Sequence, residues 1–335
     1  MDTFELAFLL SLAVFFFMLW KWFWKVQIIF NPQILGEKTP EVFGKELPER
    51  YDQLVRLGME NAKNSKVVFC GMLRDCEDRV PEIIHEFERF NGMFRDWRLL
   101  VVENDSVDNT RKLLLDWARK NKRVIVLGCG VNAKECKMSL PKTLGHQIDS
   151  ARIDKMSLLR NIYLDYTKKY FANWDYLVPV DLDATAKWYM DGFFNSLGWF
   201  KKDKNLSMLA ASGILRFPSG MSSQYDSFAI IGPEPGAMQT FHNDRWLSHA
   251  IGRKLEYMNL EPGADLEPVY SAFGGICIYR LADVLRYGAK YDMNDPENQA
   301  GRVYCEHTLF NSYFPKGSKA INPSMVFLCL SNDNA

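Results

Sequence analysis

No two of the seven cysteines (Cys70, Cys76, Cys129, Cys136, Cys277, Cys305, Cys329) stand in a C-x-x-C spacing, which argues against a structural zinc site. The odd number leaves one thiol over in any complete disulfide scheme. Cys70, Cys277 and Cys329 lie in apolar runs and read as small core residues, while Cys129 and Cys136 are free to pair if the compartment is oxidising. Net charge is missing as well. The 41 basic residues balance the 41 acidic ones, so the chain as a whole offers nucleic acid no general attraction, and any phosphate recognition has to be local. Internal repeats and low-complexity tracts are absent, which excludes a repeat array. With 335 residues, 47% hydrophobic, 14% aromatic and 24% charged, the chain has the apolar content for one large core or two modest ones and no compositional sign of disorder.

Only one apolar run approaches the length needed to cross a bilayer. It covers residues 6–24: no charge interrupts Leu6 to Trp20, Lys21 can snorkel, and Trp20, Trp22 and Trp24 suit an interface. No small-residue cleavage site follows, so it reads as an uncleaved single-pass anchor in membrane lipid, with an amphipathic helix lying on the membrane as the alternative. Lys21 and Lys25 follow the segment and Asp2 and Glu5 precede it, a charge bias that favours a cytosolic domain. The expected organisation is an anchor over residues 1–30, a stem over 31–65 carrying Pro32, Pro40 and Pro48, and one domain over 66–330, divided at 205/206 into two halves.

Within the domain, Val67–Gly71, Arg98–Val102 and Lys122–Leu127 are apolar strand patterns separated by helical ones, the first helix opening at Pro81 and burying Ile83, Ile84, Phe87 and Phe90. The second buries Leu113, Leu114 and Trp117. Such alternation predicts an α/β fold with a mostly parallel, doubly wound sheet flanked by helices. Residues 128–150 read as a loop. A long helix follows from Ala151 to about Phe171, with Ile153, Met156, Leu159, Tyr163, Tyr166 and Tyr170 at helical spacing. Further short strands are expected around 208–211, 227–231 and 275–279.

The chemistry centres on Asp175-Tyr-Leu-Val-Pro-Val-Asp181-Leu-Asp183-Ala-Thr185, an apolar strand ending in two carboxylates. In α/β sheets ligands gather beyond the carboxyl ends of the strands. Two carboxylates there repel unless neutralised, and a hard divalent cation does so while leaving positions for phosphate oxygens. Asp183 is expected to hold the cation and Asp181 to reach ribose or sugar. An N-cap or turn pair is the structural alternative. Glu103-Asn104-Asp105-Ser106 closes the second strand at the same sheet edge, where it can bind a base or ribose or simply form a turn. Arg160 sits in a mostly apolar helix and suits a phosphate or base edge, with a surface or ion-paired arginine as the structural alternative. Gly274-Gly275 lets a backbone approach a sugar closely, or marks a bulge. Glu306, followed by His307, stands at a helix start where a carboxylate can remove an acceptor hydroxyl proton.

Taken in order, Val101-Val-Glu103-Asn-Asp105-Ser106, Lys155-Met-Ser-Leu-Leu-Arg160-Asn161, Asp181-Leu-Asp183, Gln224-Tyr-Asp226-Ser-Phe-Ala229, Phe273-Gly-Gly-Ile-Cys-Ile-Tyr279 and Cys305-Glu-His307 resemble glycosyltransferases of the GT-A fold over residues 66–330. The pattern most resembles the fungal capsule-associated mannosyltransferase group and related viral enzymes. The resemblance implies that Glu103 and Asp105 bind the nucleotide, Arg160 the diphosphate or base, and Asp181 with Asp183 the sugar nucleotide and Mn²⁺ (or Mg²⁺). It implies that Asp226 and Glu306 face acceptor and reaction centre, with Gly274, Gly275 and His307 on the acceptor side. The donor is then GDP-mannose or a UDP-sugar, the acceptor a glycan or glycoprotein, and the compartment the Golgi or ER lumen, against the charge bias of Lys21 and Lys25. Two rivals use the same residues differently. Four apolar residues before Asp-x-Asp-x-Thr is also the nucleophile signature of haloacid-dehalogenase-type phosphatases, although no later Gly-Asp or Asp-Asp completes it. A membrane-tethered glycan-binding module is the other, and it would not need paired carboxylates.

Overall fold

The computed structural model describes residues 47–140, 149–217, 222–233, 260–293 and 303–330. In chain order these form α1 (Glu49–Asn64), β1 (Lys66–Leu73), α2 (Val80–Glu88), β2 (Asp96–Glu103), α3 (Thr110–Lys120), β3 (Val124–Leu127), α4 (Ser150–Tyr170), β4 (Tyr176–Pro179), β5 (Ala186–Trp188) and α5 (Met190–Lys202). They continue with β6 (Met208–Arg216), β7 (Ser222–Gln224), β8 (Glu267–Pro268), β9 (Cys277–Arg280), α6 (Leu281–Arg286), α7 (Glu306–Asn311) and β10 (Lys319–Leu330). The expected anchor, residues 6–24, lies outside the described residues; among those described, no helix is long and apolar enough to cross a membrane.

All the strands belong to one sheet with the central order β3-β2-β1-β4-β9-β6-β10-β5, β7 adding to β6 and β8 to β10. The expected parallel sheet is present from β3 to β4, where every neighbouring pair is parallel. Beyond β4 the sheet is mixed: β9 runs antiparallel to both β4 and β6, and β6 and β10 pair parallel. Strand alternation sorts the core into two layers. Val67, Phe69, Leu99, Val101 and Val178 face one side, where α2, α3 and α5 supply Phe87, Leu114 and Phe193. Val68, Cys70, Leu100, Val102 and Leu177 face the other, covered by Leu159 and Tyr163 of α4 and Phe310 of α7. The first two crossover helices thus lie on one face and the third, α4, on the opposite face. The winding reverses between β1 and β4.

Residues 49–64 are not a stem. Tyr51, Leu54, Gly58 and Ala62 recur at helical spacing and are buried, and α1 packs backbone to backbone on α5. A Cβ on Gly58 would lie 1.6 Å from the Phe194 carbonyl oxygen, and one on Gly198 2.1 Å from that of Leu54. Only glycine permits that approach. The expected strand at 227–231 is also replaced: Asp226 takes a left-handed conformation (φ +53°), which breaks the extended chain, and Ser227–Ala229 form a single 3₁₀ turn. The loop expected after β3 is stapled by a Cys129–Cys136 disulfide.

Candidate active site

Because the winding reverses between β1 and β4, the crevice of this sheet opens at their carboxyl ends, and Asp181 lies just past β4. Had the strand continued, residues 181 and 183 would share a face. Instead the chain bends at residues 182–184. Leu182 is buried at the bend against Gly71, whose position a Cβ would bring within 2.5 Å of the leucine Cγ. The bend separates the two carboxylates, leaving the Asp181 side chain 17% exposed and Asp183 exposed.

Asp181 is held on every side. Its amide donates to the Gly275 carbonyl at 2.9 Å, Tyr225 Oη donates to its Oδ2 at 2.8 Å, and Arg160 Nη2 reaches its Oδ1 at 3.4 Å. Burial pushes its carboxyl up to about 6; Arg160 opposes that rise and Asp183 adds to it. Arg160 projects from the inner side of α4. Crossover helices run antiparallel to their strands, so the first half of α4 lies over the carboxyl edge of the sheet. The guanidinium is buried, donating from Nε to Glu306 Oε1 at 3.0 Å and from Nη1 to Tyr163 Oη at 3.3 Å, and it sits over the Phe273 and Tyr291 rings. One buried cation therefore joins the carboxylate after β4 to the carboxylate that opens α7. Asp226 completes the group: its Oδ2 is buried without a hydrogen-bond partner, and burial, then the charges of Asp181 and Glu306, push its carboxyl well above the usual carboxylate range. Both influences favour its protonated form, in which it can donate a hydrogen bond, a different role from a base.

Other expected site residues have duties inside the protein. Glu103 is 1% exposed; its oxygens accept from the Ser106 amide at 3.0 Å and from Arg111 of α3, so it braces the β2–α3 turn instead of facing a nucleotide. Asp105, half-buried at φ +54°, accepts from the Met138 amide at 2.6 Å and ties that turn to the disulfide-stapled loop. Gly274 and Gly275 are buried and approach the protein's own chain, not a sugar. A Cβ on Gly274 would lie 2.2 Å from the Ala211 carbonyl oxygen, and one on Gly275 2.3 Å from the Phe327 ring. His307 is likewise interior, 1% exposed and stacked on Phe273 at 3.7 Å with both ring nitrogens unpartnered. Burial, reinforced by Arg160, lowers its pKa well below the ordinary value and keeps it neutral.

Sequence reasoning missed Tyr225, although it directly precedes Asp226. Asn104, within the expected Glu103–Ser106 segment, has a buried Nδ2 with no hydrogen-bond partner just past β2. A tyrosine between polar residues gives no signal of its own; only the turn at Asp226 shows where it reaches.

Among the described residues, no three His, Cys, Asp or Glu side chains stand together as a metal cage. The residues fit a cation of the Mn²⁺ or Mg²⁺ kind in one way. Such ions bind through one or two carboxylates and complete their shell with phosphate and water, and the exposed Asp183 beside an acid-rich crevice offers that arrangement.

No protein-family model and no curated protein matches the sequence. Similar solved structures include residues 1–349 of Staphylococcus aureus TarS at 13% identity and a TM-score of 0.44, covering 79% of this chain and 60% of that one. The same protein in complex with UDP-GlcNAc gives 12% identity, a TM-score of 0.46 and coverage of 81% and 60%. The mannosyltransferase PcManGT from Pyrobaculum calidifontis, in complex with GDP-Man and Mn²⁺, gives 10% identity, a TM-score of 0.36 and coverage of 81% and 62%. The chain thus spans about 60% of the length of the solved chains it matches first. With TM-scores below 0.5, these likenesses are similarities and no more.

Proposed function

We propose that this chain is a metal-dependent glycosyltransferase that moves a sugar from a nucleotide diphosphate sugar to a glycan acceptor. The carrying observation is the crevice at the winding reversal, where buried Arg160 holds Asp181 and Glu306 together and Asp183 stands exposed one bend away. Following the motif resemblance, the donor is GDP-mannose or a UDP-sugar and the group the GT-A enzymes of the capsule-associated mannosyltransferase type. When bound, a divalent cation supplies charge to the leaving diphosphate. Asp183 is the residue that would hold it. Asp181, fixed by Tyr225 and Arg160, orients the donor's ribose or sugar, and half-buried Asp105 remains the nucleotide contact at the neighbouring edge.

Arg160 is spent on two carboxylates, so its contribution to transfer is to set their positions and the local charge, not to clamp the diphosphate directly. Glu306, paired with it, suits stabilisation of positive charge developing at the anomeric carbon better than the role of a base. Asp226, whose protonated form burial favours, suits donation to a sugar or acceptor oxygen. The phosphatase reading needs a later acidic pair to complete its metal site, and no Gly-Asp or Asp-Asp follows Asp181 in the sequence.

For sidedness, the Cys129–Cys136 disulfide and the exposed sequon asparagine Asn205 favour an oxidising, lumenal compartment over the charge bias at Lys21 and Lys25. Incubating the chain with a panel of GDP- and UDP-sugars and Mn²⁺ tests the activity. Turnover of at least one donor is expected, lost in Asp183→Asn and showing mainly a raised donor KM in Asp181→Asn. A wild type that hydrolyses phosphomonoesters and no sugar nucleotide overturns the proposal.

A further inference from the structure

The turn between β1 and α2 touches the acidic loop through one side chain. Arg79, the residue before α2, sends Nη2 to the Ala184 carbonyl at 2.7 Å and pairs through Nη1 with Glu82. Its side chain is 15% exposed, and its Nε is buried without a hydrogen-bond partner. An i,i+3 ion pair at a helix start is ordinary, and with Glu82 55% exposed it contributes little to stability. The bond to Ala184 is different in kind. It joins residues 105 apart in sequence and ends on the 184–185 peptide, one residue past Asp183.

The surrounding fastenings show why that peptide matters. Before Asp183 the loop is held by the Asp181 amide on Gly275 and by Leu182 packed at Gly71; after it, the Leu330 amide donates to the Thr185 carbonyl at 2.8 Å. Asp183 is the exposed residue between these points, and the direction of its carboxylate follows from how the backbone on either side of it is fastened. Arg79 fixes the far side of Asp183 by bonding the oxygen of the 184–185 peptide. Pairing with Glu82 also offsets the guanidinium charge, so a planar, two-armed donor is delivered with little net positive charge beside a candidate cation position.

We propose that Arg79 is a positioning residue for Asp183, setting the angle at which that carboxylate meets the cation of a nucleotide diphosphate. The proposal rests on the donor-binding reading above. Partners that orient a metal ligand typically change metal affinity by 10- to 100-fold when removed. Arg79→Met keeps the side chain's bulk and removes the donor; Arg79→Lys keeps one N–H donor within reach.

Two measurements on the full-length chain test this. Hydrogen exchange read by mass spectrometry over residues 181–188 is expected to accelerate in Arg79→Met without any ligand. Binding of GDP and of UDP, titrated against Mn²⁺ by calorimetry, is expected to need roughly tenfold more Mn²⁺ for half-saturation in that variant. Nucleotide affinity at saturating Mn²⁺ should be unchanged, and Arg79→Lys should fall between the two. An unaltered Mn²⁺ requirement in a folded Arg79→Met chain overturns the proposal, whether or not exchange accelerates. Tighter Mn²⁺ binding overturns it too, because Arg79 would then act only as a repelling charge. If Arg79→Met does not fold, the Mn²⁺ requirement of Arg79→Lys decides: a rise supports the proposal and none refutes it. A wild type that binds neither nucleotide in an Mn²⁺-dependent way removes the donor reading itself. Wild-type binding matched by the variant removes only the positioning role.

Discussion

Replacing Arg160 by methionine tests how the site is held together. Sequence alone leaves this arginine either a ligand for phosphate or an ion-paired residue. The structure makes it a buried cation between Glu306 at 3.0 Å and Asp181 at 3.4 Å, with Asp226 close enough for the charges to interact. Methionine preserves most of the packing against Phe273 and Tyr291 but leaves these carboxyl groups without their cation. Removing one partner of a buried ion pair costs about 3–5 kcal/mol. At about 2–4 °C per kcal/mol for a domain of this size, the expected drop in Tm is roughly 6–20 °C. The pH dependence carries the sign. Burial raises the Asp181 carboxyl to about 6, above its unfolded value, so its ionisation costs stability as pH rises through that window. Arg160 opposes the rise; without it the folded pKa goes higher still. The Arg160→Met deficit should therefore be larger at pH 8 than at pH 5, and Glu306→Gln in the same chain should recover part of it. Thermal unfolding monitored by circular dichroism at both pH values reads the result. A Tm within 2 °C of wild type, or a deficit independent of pH, refutes the buried-cation account.

Gly58→Ala should destabilise the domain by more than the ~1 kcal/mol of an ordinary helix substitution, and in the unfavourable direction, because the new methyl would meet the Phe194 carbonyl; denaturant unfolding gives the value. His307 titrates against the fold: its folded pKa is lowered, so the unfolded chain binds the proton first and stability falls as pH drops below about 6.5. His307→Phe, which keeps the stack on Phe273, should flatten that acid limb in a Tm-versus-pH series. In a eukaryotic host, a glycan on Asn205 and protection of Cys129 and Cys136 from thiol labelling are expected together, by mass spectrometry; free thiols and an unmodified asparagine would restore the cytosolic orientation. Asn205 precedes β6, which runs in the same sense as β4, so a glycan there lies at the opposite edge of the sheet from Asp181 and should leave nucleotide binding intact. Deleting residues 1–30 should release a folded, soluble protein from membranes, checked by sedimentation.

Sequence by itself determined the parallel half of the fold and the place of the acidic loop. Val67–Gly71, Arg98–Val102 and the run into Asp181 are continuous apolar strands separated by helical periodicities, and a strand buried on both faces can be read without knowing its neighbours. The helix at 151–171 was legible from its own apolar spacing. The stem misreading came from weighing prolines and charge over the 51, 54, 58, 62 spacing, which was there to be read. Tertiary structure alone decided what each polar group of the site does. Glu103, Arg160, His307 and the Gly274-Gly275 pair look in sequence like ligand-facing residues, because a polar side chain at a strand end and one in a crevice are written the same way. Whether a carboxylate faces solvent or a buried arginine depends on partners far away in the chain, as with Arg160 and Glu306, 146 residues apart. A glycine that admits a sugar and one that admits a phenylalanine ring also share one letter, and only the packed sheet, which brings Phe327 onto Gly275, separates them.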